Sequence, residues 1–134
     1  ILGGYKNVKQ QNVFSLPKIP YNDLPKYYQM ADAMIHLCWL DCCPNTVVEG
    51  LASGLPVVCS HNGGTPELVK DNGVILKIEE DYEYGTMVDL YHPPKVDYNI
   101  ITKGILKVLD MPKVEGREDL KMSNVADKYK KIFI

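Results

Sequence analysis

Arginine is nearly missing from this sequence: of 15 basic residues only Arg117 is an arginine, and the rest are lysines. A phosphate site built here has one guanidinium fork at most and must rely on backbone amides, helix N-termini or lysine. Long apolar runs are missing too. The stretch 33–40 falls far short of the ~20 residues a membrane span requires. No charged-then-apolar leader heads the chain, so the expected setting is cytoplasmic, with peripheral membrane contact left open. A basic stripe is lacking as well: 15 basic and 17 acidic residues give a net charge of −2, which argues against nucleic acid as a partner. Paired cysteines are also absent. Cys38, Cys42 and Cys43 follow the spacing C-x3-C-C, not the C-x2-C pairs of structural zinc sites, although Cys59, His36 and His61 lie nearby. Cys38 and Cys59 fall inside apolar runs, where a thiol behaves as a small hydrophobe. Reduced thiols and no metal are expected.

What is present is one domain's worth of chain. The 134 residues, 46% hydrophobic and 24% charged, can bury roughly two-thirds of their unfolded surface without a disulfide or metal staple. The start at Ile1-Leu2-Gly3-Gly4, without Met, is read as a cut edge of something longer.

The punctuation predicts alternating strands and helices. Val13-Phe14-Ser15-Leu16 reads as a short strand ended by Pro17 and Pro20. A helix over 23–31 follows, with Asp23 as its N-cap. The nearly continuous apolar run 33–39 predicts a strand covered on both faces, as in a parallel sheet. Pro44 opens a helix over 45–53 that Gly54 closes. Residues 56–59 form the next buried strand, 65–67 a second helix start, and 74–78 a third strand after the Asn72-Gly73 turn. The fold class expected is α/β, a Rossmann-like parallel sheet with flanking helices. The segment 79–96, polar and bearing tyrosines, reads as a loop. Residues 97–110 read as a helix with Ile100, Ile101, Ile105, Leu106 and Leu109 in its apolar stripe, and Ser123 as the cap of a last helix.

In such a sheet, ligands collect at the carboxyl ends of the strands. Two loops leave those ends, 41–46 and 61–67, and each feeds a helix start with unpaired amides and a positive dipole end. Gly63-Gly64 allows close backbone approach to a phosphate or sugar, or is simple turn geometry; the residues leave both open. Asp41 and Glu49 stand as acid, seven residues, acid across a strand-to-helix turn. They are either a cleft pair able to accept vicinal sugar hydroxyls, or a cap and a solvated glutamate. His36 reads as a hydrogen-bonded core histidine and not a base, and His61 as a cap or solvent-facing residue or else a contact to a phosphate or sugar. Trp39 reads as packing or else a cleft wall, and the tyrosines at 82, 84, 91 and 98 equally as boundary packing or stacking residues. No serine sits in a G-x-S-x-G elbow, and a Cys42 or Cys43 nucleophile has only His36 or His61 as a base.

The run 28–32, then Asp41 to Val58 with its Glu49 and Ala-Ser-Gly-Leu-Pro-Val-Val ending, then Gly63-Gly64-Thr65-Pro66-Glu67-Leu68-Val69, resembles the C-terminal domain of retaining GT-B glycosyltransferases of group 1. The match is good over 13–78 and loose beyond. The resemblance implies that Glu49 grips the ribose of a nucleotide-sugar donor and that loop amides around Cys43, Asn45 and Thr46 face its diphosphate or sugar. It places Asp41, one methylene shorter than the family's usual glutamate, near the donor sugar. Leu16 would border the base, and Gly63 and Gly64 would floor the cleft. It implies hexosyl transfer without a metal or other cofactor. It also implies that residues 1–134 are a single partial donor-binding domain, with a core over 13–78, the loop 79–96 and C-terminal helices over 97–134. That domain would lack its first strand-helix unit, the phosphate-clamping basic residues of that unit, and a separate acceptor-binding N-terminal domain, and would be inactive alone. Two other readings stand beside it: a non-catalytic nucleotide-sugar or protein-binding module, and part of a nucleotide-sugar epimerase. Donor base, donor sugar, acceptor and oligomeric state are not readable from the residues.

Overall fold

A computed structural model describes residues 11–78, 83, 85, 87 and 92–133 of the chain. The expected strand end at Ile1-Leu2-Gly3-Gly4, the tyrosines at 82, 84 and 91, and most of the 79–96 loop lie outside the described residues.

The central element is a run of four residues. Val57–Ser60 forms strand β2, every residue of which is buried. It pairs in parallel with β1, Met34–His36, on one side and with β3, Gly73–Leu76, on the other. Because successive side chains of a strand point to opposite faces, β2 feeds two cores. Val57 and Cys59 pack with Val47, Leu51 and Val69, which come from helices α2, Asn45–Ala52, and α3, Thr65–Val69. Val58 packs with Val74, Leu76 and Val108, the last from α4, Tyr98–Leu109. Among the described residues the architecture is a three-stranded parallel α/β sheet, order β1-β2-β3, with helices on both faces. Alternation of strand and helix along the chain leaves this the natural layering.

Gly104 shows how close the upper layer sits. A Cβ there would lie 2.5 Å from the Leu76 Cδ2, so a glycine in mid-helix lets α4 rest on the sheet. The helix itself starts on Asp97, whose side chain accepts the Asn99 N–H.

Several expectations are corrected here. Val13 makes only an isolated bridge, and 14–16 are not a strand, since prolines at 17 and 20 remove the donors a ladder needs. The run 33–39 yields a strand of three residues with Ile35 51% exposed, not one covered on both faces. Among the described strands β1 is at the sheet's edge, so only one of its sides is sealed by β2. In α4 the buried residues are Gly104 and Val108, whereas Leu106 and Leu109 of the expected stripe are exposed. Ser123 lies inside the last helix α5, Met122–Phe133, and the Asn124 amide instead donates to the Glu118 carbonyl. Asp23 does hold the N-cap position of α1, Leu24–Met30, as expected, but its side chain holds Lys26 and makes no cap bond. Cys38 is exposed; Cys59 is the buried thiol expected, and burial pushes it up to about 11. Among the described residues no helix is long and apolar enough to cross a membrane.

Candidate functional site

Two loops leave the carboxyl ends of β1 and β2 and lie directly on one another. The Gly64 N–H donates to the Asp41 carbonyl at 2.8 Å. Gly63 has φ +75°, a conformation that favours glycine, and a Cβ on it would stand 2.6 Å from the Asp41 oxygen. A Cβ on Gly64 would stand only 1.9 Å from the Cys42 carbonyl oxygen. The close approach that these glycines permit is to the neighbouring loop.

Asp41 is the hub of that contact. Its Oδ1 accepts the Cys43 N–H at 3.1 Å, and its Oδ2 faces His36 Nε2 at 3.8 Å. The Cys43 amide is therefore engaged within its own loop. Pro44 precedes α2, and its carbonyl accepts from Val47 and Val48. Asn45 and Thr46 supply the first-turn amides, which have no intrahelical acceptor. An anion placed there meets two donors and the positive end of the helix.

Glu49 sits one turn further on and has a specific partner. The Tyr28 hydroxyl donates to Glu49 Oε2 at 3.0 Å. Burial, then the hydrogen bond and charge of Glu49, push the Tyr28 phenol up to about 12, so it remains a donor at neutral pH. Glu49 and Tyr28 wall a cleft of about 360 Å³ with Tyr21, Asn22, Ala52 and Ser53, a size in the range of small-molecule sites. Tyr28→Phe is expected to lower stability by about 1 kcal/mol in urea unfolding, because a charged acceptor loses its donor while keeping some access to water. An unchanged midpoint would show that the bond carries no stability.

The expected residues do not share one cavity. Cys43, Asn45 and Gly64 line a second cleft of about 500 Å³ with Lys70 and Arg117. Thr46 lines a third with Tyr27, Tyr28 and His36. Leu16, half-buried in an irregular segment, lines none of these three. His61 Nδ1 accepts the Ile78 N–H at 3.1 Å, which ties the glycine loop to the end of β3.

Sequence reasoning missed two features of the site. Tyr28 is one, since nothing local marks a tyrosine as the partner of a glutamate 21 positions away. The other is the clasp at the second cleft. The sole arginine is 8% exposed at its side chain and sends Nε and Nη2 to the two oxygens of Asp119, at 2.8 and 3.0 Å. Lys70 Nζ joins the same carboxylate at 3.0 Å. The one guanidinium fork of this chain thus closes on an internal partner. Hydrogen bonds from Arg117 and then Lys70 hold the Asp119 carboxyl far below the usual carboxylate range. A depressed folded pKa contributes stability above the unfolded value of about 4, and that contribution is lost as pH falls below it. The melting-temperature gap between wild type and Asp119→Asn should therefore be full at pH 6 and shrink as pH drops from about 5 toward 2. A gap that stays constant over that window would mean the ion pairs are not its source.

Spore coat protein SA of Bacillus subtilis (strain 168) is 28% identical over 72 residues, which cover 52% of this chain and 19% of that relative. The chain thus spans about a fifth of the curated relative it matches. No solved structure matches significantly. The family profile described as glycosyl transferases group 1 matches residues 6–122, which take in both loops, all three strands and the Tyr28–Glu49 pair. This chain belongs to the group 1 glycosyl transferase family.

Proposed function

We propose that this chain forms the donor-binding side of a retaining GT-B glycosyltransferase, moving a hexosyl unit from a nucleoside diphosphate to an acceptor. The observation that carries this reading is Glu49, held by Tyr28 in a cleft one turn beyond the free amides of α2. In the proposed arrangement Glu49 accepts the two ribose hydroxyls. The Asn45 and Thr46 amides meet the diphosphate, where the helix dipole stabilises the charge that builds on the leaving group. Asp41 faces the donor sugar from the loop that Gly63 and Gly64 support, Cys43 holds that aspartate through its amide, and Leu16 borders the base. Transfer in this scheme uses backbone dipoles and no metal. An acceptor-binding domain supplies the opposite wall, so donor binding is expected of this chain and transfer only of the two walls together. The proposed setting is cytoplasmic.

The test is calorimetric titration of the protein with UDP-, ADP- and GDP-glucose. Saturable binding of at least one, weakened by Glu49→Gln, is expected. Absence of binding by all three, or full affinity in the variant, overturns the assignment. Binding without transfer by the complete protein would instead favour a non-catalytic module.

A further inference from the structure

His36, Cys38 and Asp41 bring an imidazole nitrogen, a thiol sulfur and a carboxylate oxygen within 4.8 Å of one another. The local chain imposes this. His36 ends β1, the Cys38 thiol donates to the Leu40 carbonyl at 3.6 Å, and the turn returns Asp41 to the strand's end. The Asp41 carboxylate is fixed because its Oδ1 takes the Cys43 N–H, which leaves Oδ2 toward His36 Nε2 at 3.8 Å. That ring nitrogen is buried and makes no hydrogen bond among the described residues. A buried polar atom without a partner calls for an explanation, and an unplaced ion is one.

Ligand chemistry narrows which ion. Thiolate and imidazole donors suit zinc and its close analogue cobalt, whereas magnesium and calcium take oxygen. Bonds of about 2.0–2.3 Å in a tetrahedral zinc site set ligand atoms about 3.3–3.8 Å apart. The His36–Asp41 separation already falls at the edge of that range, and the third atom needs to close by about 1 Å. Cys38 is exposed, which gives the site an entry side and leaves a fourth position for solvent.

From these atoms we infer that His36, Cys38 and Asp41 form a binding site for a zinc-class divalent cation. On binding, the Cys38 S–H bond breaks, its proton leaves to solvent, and the sulfur pair forms the bond to the ion; nothing is oxidised or reduced. The site uses one cysteine of the C-x3-C-C run, which is why cysteine spacing did not reveal it. The inference stands on these three ligand atoms and not on the donor-binding reading, with which it competes for one atom: an ion on Asp41 Oδ2 leaves that carboxylate no free oxygen for a donor sugar, because Oδ1 already accepts the Cys43 N–H.

Cobalt(II) titration of the reduced protein tests it. Wild type is expected to show a near-ultraviolet thiolate-to-cobalt charge-transfer band with tetrahedral visible bands, saturating at one ion per chain and displaced by zinc. Emission of Trp39, the sole tryptophan, should fall in step. Cys38→Ser should abolish the charge-transfer band and weaken zinc binding more than about tenfold, a larger loss than outer-shell changes give. Asp41→Asn should weaken it without removing the band, and Cys42→Ser/Cys43→Ser should keep both. Far-ultraviolet circular dichroism confirms that each variant is folded. No band in wild type, a band that survives Cys38→Ser, or one lost in Cys42→Ser/Cys43→Ser overturns the site.

Discussion

Gly64→Ala is expected to lower the melting temperature by roughly 10 °C, equivalent to about 3 kcal/mol for a domain of this size. The added methyl would stand 1.9 Å from the Cys42 carbonyl oxygen and 2.9 Å from its carbon, both backbone atoms. A flexible side chain can swing aside; a backbone carbonyl moves only with its loop. That loop cannot move freely, because the Gly64 N–H holds the Asp41 carbonyl and the Cys43 N–H holds the Asp41 side chain. Gly104→Ala is the matched comparison. Its methyl also makes a short contact, 2.5 Å, but with the terminal Cδ2 of Leu76, and alanine improves the helix by about 1 kcal/mol. The second substitution should therefore cost far less than the first. Equal losses in thermal unfolding would show that contact distance alone decides, and that the loop clasp is not special.

Glu49→Gln is the second large effect, expected on donor affinity and not on folding. A carboxylate offers two charged acceptors to a pair of vicinal hydroxyls, and the amide offers one neutral acceptor and a donor. Hydrogen bonds to charged groups contribute about 1.5–3 kcal/mol, so affinity for a nucleoside diphosphate sugar should fall roughly 10- to 100-fold. Glutamine still accepts from Tyr28, so stability should change by less than about 1 kcal/mol. Tyr28→Phe should give the opposite balance, with a larger loss of stability than of affinity. If Glu49→Gln binds nucleoside diphosphate sugars as tightly as wild type, the ribose role of Glu49 is wrong.

How much of this was legible in the sequence varied with the range of the contacts. Helix α2 was readable almost to the residue, because Pro44 and Gly54 terminate it by local backbone chemistry. Strand β2 was readable from its apolar run, since a strand buried on both faces has no alternation to hide. The same rule misjudged 33–39, because an apolar run does not state how many neighbours a strand has, and β1 has only β2 among the described strands. The acid pair at 41 and 49 was visible by spacing, yet what each carboxylate touches was not. Tyr28 reaches Glu49 across 21 residues, and Lys70 reaches Asp119 across 49. No periodicity encodes a contact of that kind. The Leu106 and Leu109 misassignment has another cause: a helical stripe marks an apolar face, and α4 packs through Gly104, Val108 and the partly buried Ile100 and Ile101 of that stripe, leaving Leu106 and Leu109 outside.

The clasp between the two loops also bears on the entropy of binding. Asp41 and Gly64 share a hydrogen bond, and the Cys42 carbonyl fills the space where a side chain on Gly64 would stand. The starts of α2 and α3 therefore have little freedom relative to one another. A ligand touching both would not have to order two independent loops, since folding has already set their relative position. Rigid placement of this kind raises affinity without adding a contact. In this chain it comes from a carbonyl, an amide and the side chain that Gly64 lacks.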